Sequence, residues 1–235
     1  MSKKAQEITI GILSSIATVG IVYLLCELLI KRKSTNSSTA DLDDEKTSDV
    51  PRINPNSSNL LFVGDSLTVY TNSFADQLKK QYPNINITKV ASVGKQTSWM
   101  LPQLQQELLT GKKYNGIIFT GGVNDIYATN SIINAKSNLQ KMYDIAKNSG
   151  ALVIALNVLP TATYSLSNAK TTQLTNDLNS WIKSNKTVDI LVDINSLLNN
   201  GKDGTKLEYL QPDKLHLNDL AHSVIKNELA NKIIK

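Results

Sequence analysis

The chain has 235 residues, 41% of them hydrophobic and 19% charged, an ordinary globular balance that excludes wholesale disorder. One cysteine excludes an intramolecular disulfide framework and a cysteine-based zinc site, and two histidines are too few for a multi-histidine metal centre. The net charge of +5 is mild, its lysines are scattered as singles and pairs without interleaved aromatics, and no arginine follows Arg52, so nucleic acid is not expected as a partner.

Ile8 to Ile30 is an apolar run of 23 residues holding one charge, Glu27. At about 1.5 Å per residue a helix of this length spans about 34 Å, enough for a bilayer core of about 30 Å. Glu27 sits within a turn of the distal end, where its carboxylate reaches the headgroups. Residues 1–33 are therefore expected to form a single-pass transmembrane anchor, with the helix over about 8–30. A cleaved signal peptide would have a shorter apolar stretch and a small-x-small site close behind it. Ser38-Thr39-Ala40 has that pattern but lies well beyond Ile30, and Leu25 does not suit a lipoprotein site at Cys26. Lys31, Arg32 and Lys33 favour a cytoplasmic C-terminus. Lys3, Lys4 and the short N-terminal tail resemble an ordinary signal-anchor, and on that basis the C-terminal portion is expected outside the cell. Residues 34–58 are polar, with two prolines, and read as a flexible linker. Its acidic run, Asp41, Asp43, Asp44 and Glu45, lacks the glycine and terminal glutamate of a calcium loop and reads as solvated charge.

Residues 59–235 have the length of one domain. Apolar, β-rich runs alternate there with amphipathic stretches. Strands are expected at Leu60–Val63, Ile85–Ala91, Gly116–Thr120, Ala151–Val158 and Val188–Asp193. Helices are expected at Thr68–Tyr82, near Ser98–Leu109, and at Ile132–Asn148, about Asn168–Ser184 and Asn218–Ile234. Near-continuous apolar strands separated by helices imply a parallel sheet covered on both faces. Ligands of such sheets bind beyond the carboxyl ends of the strands, so the residues just after each strand are the candidates for a site.

Gly64-Asp65-Ser66-Leu67 comes after the first strand. A serine at this turn holds its hydroxyl at the sheet edge, and its own N–H joins the free donors of the next helix, which suits a nucleophile whose attack creates an oxyanion. Gly94, after the second strand, lets backbone approach a substrate closely. In Gly121-Gly122-Val123-Asn124-Asp125, after the third, Asn124 offers an amide. Asp213-Lys214-Leu215-His216 precedes the last helix, and its carboxylate can accept from Nδ1 and leave Nε2 for a nucleophile. Serine, aspartate, histidine is a known chain order for that triad. Each motif alone also fits a helix cap, a turn or a satisfied loop histidine. Asp65 and Asp125 read as loop ties. His222, six residues beyond His216, reads as structural or partly exposed, facing away from Leu217, Ala221, Val224 and Ile225.

Together the four motifs resemble the sequence blocks of the GDSL, or SGNH, hydrolase family, over the whole of 59–235. The resemblance implies a flavodoxin-like three-layer α/β/α sandwich with a five-stranded parallel sheet, and ester hydrolysis without a cofactor or metal. Carried onto this chain, it makes Ser66 the nucleophile, His216 the general base and Asp213 its orienting partner. The oxyanion hole would comprise the Ser66 N–H, the Gly94 N–H and the Asn124 side chain. The loop Leu159–Ser167 and the segment Asn195–Gln211 are expected to line the site. With an outward-facing anchor, the substrate is expected to be an acetyl or acyl ester of a cell-envelope glycan or lipid. The alternatives are an O-acyltransferase acting on a surface polysaccharide through the same triad, and a non-catalytic glycan-binding module. The richness in Asn, Lys and Ile points to a bacterial source.

Overall fold

The computed structural model describes residues 52–234, apart from 162, 165 and 166. Five strands form one sheet: β1 (Asn59–Gly64), β2 (Asn86–Ala91), β3 (Gly116–Phe119), β4 (Leu152–Leu156) and β5 (Ile190–Val192). Their order is β2-β1-β3-β4-β5, and every adjacent pair is parallel. Among the described residues eight helices accompany them: α1 (Ser66–Val69), α2 (Phe74–Gln81), α3 (Thr97–Leu109), α4 (Val123–Thr129), α5 (Ile133–Asn148), α6 (Ala169–Ser184), α7 (Ile194–Leu198) and α8 (Asp219–Ile233).

The two-residue alternation of the strands builds two cores. Leu60 and Phe62 of β1 join Ile118, Ile154, Leu156 and Val192 on one face, under Phe74 and Leu78 of α2 and Ile225, Leu229 and Ile233 of α8. Leu61 and Val63 join Ile117, Phe119, Val153 and Ala155 on the other, under Met100 and Leu104 of α3, Leu139, Met142 and Tyr143 of α5, and Leu178 and Ile182 of α6. Strands buried on both faces account for the unbroken apolar runs, and the result is the expected three-layer sandwich. The chain winds outward from β1 to β2 on one side and to β3 on the other. The crevice of such a sheet opens where the order reverses, beyond the carboxyl ends of β1 and β3.

Three expectations need correction. The helix expected over Thr68–Tyr82 is two helices. Asn72 takes a left-handed conformation (φ 59), and the N–H and hydroxyl of Ser73 both donate to Asp76 Oδ2, at 3.2 and 3.1 Å, starting α2 afresh. The linker ends before Ser58. Ile53 is buried, pairs with Ile234 and donates its N–H to Ile233 O at 2.6 Å, so the folded body begins by Arg52. Helices α4 and α7, and a 3₁₀ turn at Leu207–Tyr209, were not expected. Among the described residues no helix is long and apolar enough to cross a membrane, and the run Ile8–Ile30 lies outside them.

Candidate active site

The turn after β1 is built by close packing. A Cβ on Gly64 would stand 2.0 Å from Thr120 Oγ1 and 2.4 Å from Thr68 Oγ1, and those two hydroxyls are themselves hydrogen-bonded at 2.8 Å. Only glycine lets the end of β1 meet the end of β3 so closely. Asp65 then caps α1, its Oδ1 accepting from Leu67 N at 3.1 Å. Ser66 is the first residue of this single turn, so its N–H has no intrahelical acceptor.

Gly94 adopts φ +70, a conformation L side chains rarely take. It heads the loop that delivers the Lys95 carbonyl to Asn124. Asn124 Nδ2 donates to Lys95 O at 3.1 Å and to Asp65 Oδ2 at 3.2 Å, tying the loops after β1, β2 and β3 together. Both amide hydrogens are therefore engaged. Donation to an incoming oxygen requires exchanging one of these bonds, and the one to Lys95 O is the more exposed. Asp125, the next residue, accepts from Thr97 N at 3.0 Å and Thr97 Oγ1 at 2.7 Å, which fixes the start of α3. Asp65 and Asp125 are thus loop ties. Burial raises the Asp65 carboxyl to about 6 against the opposing pull of the Leu67 N–H.

Asp213 and His216 share one tight turn. Leu215 N and His216 N donate to Asp213 Oδ1 at 2.9 and 3.0 Å, and Asp213 Oδ2 lies 2.6 Å from His216 Nδ1. Lys214 takes φ 53 to close it, an uncommon conformation for a residue other than glycine. The hydrogen bond from His216, helped by the two backbone N–H groups, holds the Asp213 carboxyl down at about 2. Asp213 therefore stays ionised at neutral pH, and Nε2 is left free on the other side of the ring.

Ser66, Gly94, Asn124 and His216 all line one cavity of about 270 Å³. Its walls are otherwise mainly apolar and include Val93, Val123, Tyr127, Leu159 and Tyr164. Asp213 stands behind His216. Of the two segments expected along the site, the Leu159–Ser167 loop reaches the cavity through Leu159 and Tyr164. No residue of Asn195–Gln211 lines it, and Gln211 instead supports the His216 loop: Gln211 N donates to His216 O at 2.8 Å and Gln211 Nε2 to Leu217 O at 2.9 Å.

His222 lies inside rather than on the outer face of α8. It is 2% exposed, and its Nδ1 accepts from Phe74 N at 3.3 Å. Burial depresses its pKa to about 4. Its ring stacks on Tyr70, and Tyr70 stacks in turn on His216, with centroids 5.6 Å apart. Tyr70 and Gln211 carried no local signal in the sequence, since the bond between them, Tyr70 OH to Gln211 Oε1 at 3.0 Å, spans 141 positions. Among the described residues, no three His, Cys, Asp or Glu side chains gather as a metal site.

A parallel sheet with a serine, a glycine, an asparagine and an aspartate-backed histidine around one cavity at its switch point is the arrangement expected of an SGNH-type hydrolase. The sequence model of the GDSL-like Lipase/Acylhydrolase family matches residues 62–224, and the chain belongs to that family. Among solved structures, a GDSL-like lipase from Bacteroides thetaiotaomicron superposes with a TM-score of 0.61 at 17% identity, over 74% of this chain and 86% of that one. A psychrotrophic esterase, EstA, from a Pseudoalteromonas species gives 0.54 at 18% identity, over 74% and 96%. A lipolytic protein of the G-D-S-L family from Veillonella parvula gives 0.62 at 16% identity, over 74% and 96%. These likenesses show a shared fold. No curated protein sequence matches the chain. The chain is a carboxylic ester hydrolase by family.

Proposed function

We propose that this enzyme cleaves short acyl esters, acetyl above all, on a glycan or lipid of the cell envelope. Ser66 is the nucleophile. His216 Nε2 takes the Ser66 hydroxyl proton as Oγ attacks the ester carbonyl, and Asp213 holds the imidazole and stabilises the imidazolium. The carbonyl oxygen, now an anion, is met by the Ser66 N–H, the Gly94 N–H and one N–H of Asn124, which leaves Lys95 O to do so. Collapse expels the alcohol with the proton from His216 and leaves an acyl-Ser66. Water, deprotonated by His216, then releases the carboxylic acid and restores the serine.

One observation carries this reading: Ser66, Gly94, Asn124 and His216 face a common cavity, with Asp213 Oδ2 at 2.6 Å from His216 Nδ1. The acyl length is argued from size. About 270 Å³ sits at the small end of the range of ligand pockets, about 300–1,000 Å³, which suits a short acyl chain. The envelope location rests on the sequence: the apolar run Ile8–Ile30 as anchor within residues 1–33, the polar tether that starts at residue 34 and is cut short by the buried Ile53, and the domain held outside the cell. The test is a series of p-nitrophenyl esters from acetyl to palmitoyl. Activity that falls steeply beyond about butyryl supports the reading, and a preference for long chains contradicts it. Protease added to intact cells should release the domain, and full protection would place it in the cytoplasm.

A further inference from the structure

Tyr70 belongs to none of the four sequence blocks, yet it touches both halves of the proposed machinery. Its backbone N–H closes the nucleophile turn, donating to Ser66 O at 3.1 Å. Its ring lies against the His216 imidazole, with centroids 5.6 Å apart and planes 27° apart. Its hydroxyl is anchored to Gln211 Oε1 at 3.0 Å, and Gln211 is itself bonded to the peptide oxygens of His216 and Leu217. The ring also stacks on His222, at 6.5 Å and 19°, and His222 stacks in turn on Phe74, at 6.3 Å and 11°.

We infer that Tyr70 is a positioning residue that sets the His216 imidazole in register with Ser66 and stabilises the imidazolium formed as the serine proton is transferred. The inference rests on the assignment of Ser66 and His216 as nucleophile and base. A tyrosine face within about 6 Å of a cation attracts it through the ring quadrupole, so the contact strengthens as His216 becomes charged. The stack on His222 and the hydroxyl bond to Gln211 hold the Tyr70 ring in place. Burial keeps His222 neutral, so the stack adds no opposing positive charge at neutral pH. Because one residue closes the Ser66 turn and bounds the imidazole, a shift of either alters the geometry of proton transfer, on which rate depends steeply.

The test compares the full chain in non-ionic detergent with Tyr70→Leu, Tyr70→Met and Tyr70→Phe. Two rates are read: turnover of p-nitrophenyl acetate, and labelling by diisopropyl fluorophosphate, a small probe that reports serine activation with few binding contacts. Loss of the aromatic face in the Leu and Met variants should lower kcat about ten-fold with KM within about two-fold, and slow labelling in parallel. Tyr70→Phe keeps the face and should restore both rates to within about three-fold of the parent. Melting temperatures are measured alongside, and Met, flexible and apolar, remains readable where Leu packs poorly. Parental kcat and labelling in a folded Leu or Met variant would overturn the inference, as would a change confined to KM or a Phe variant as impaired as Leu. A parent in which Ser66 takes no label would instead overturn the underlying assignment.

Discussion

Replacing His222 with Asn should remove one acid-sensitive contribution to the stability of the domain. The imidazole is 2% exposed, and its Nδ1 accepts the Phe74 N–H. Asn offers an oxygen near the position of Nδ1 and does not titrate. Burial holds His222 neutral down to about pH 4, against 6.5 in the unfolded chain. Between those values the unfolded state binds the proton and the folded state does not, so stability present above 6.5 is lost as pH falls towards 4. At 1.36 kcal/mol per pH unit the loss comes to about 3 kcal/mol. Urea unfolding of parent and variant, followed by the fluorescence of Trp99 and Trp181, gives the difference at each pH. From pH 7.5 to 4 the parent should lose about 3 kcal/mol more than His222→Asn. With a slope of about 2 kcal/mol per molar urea, that is a midpoint change of about 1.5 M. Parallel curves, offset by a constant amount, would refute the claim that His222 is buried and neutral.

Asp65 should act in the opposite sense. Its folded pKa of about 6 exceeds the ordinary 3.8, so its contribution is fully present below 3.8 and lost as pH rises through 6. Relative to Asp65→Asn, the parent should lose about 3 kcal/mol of stability over that window, measured by the same urea titration. Asn124→Ala should lower kcat by roughly 10²–10³ with little change in KM, since an oxyanion donor acts mainly in the transition state. An effect on KM alone would make Asn124 a binding group. Asp213→Asn should lower kcat on the order of 10⁴ at neutral pH, because the amide no longer fixes the tautomer that leaves Nε2 as acceptor.

The sheet was legible because strands buried on both faces must be apolar at every position, and β1, with five of its six residues buried, is the clearest case. The four loop motifs were legible because a parallel sheet binds its ligands beyond the carboxyl ends of its strands, where those loops lie. Breaks inside helical stretches were not. The split at Asn72 turns on one left-handed residue and on a Ser73–Asp76 cap whose spacing also suits a continuous helix. Helix α4 begins directly on the Gly121-Gly122 turn, which reads as loop. The burial of His222 and the stacking of Tyr70 depend on partners far along the chain, Phe74 for the first and His216 for the second, and no local period encodes them. The domain start was misplaced for the same reason, because Ile53 is apolar by itself and finds its partner only at Ile234.

Mass spectrometry after treatment with a fluorophosphonate tests the central assignment most directly. The full chain should gain one adduct, located by peptide mapping to Ser66 and absent from Ser66→Ala, in step with loss of p-nitrophenyl acetate hydrolysis. Hydrolysis persisting in Ser66→Ala at near-parental rate, or an adduct on another residue, would contradict it, since loss of a triad nucleophile removes on the order of 10⁶ in turnover.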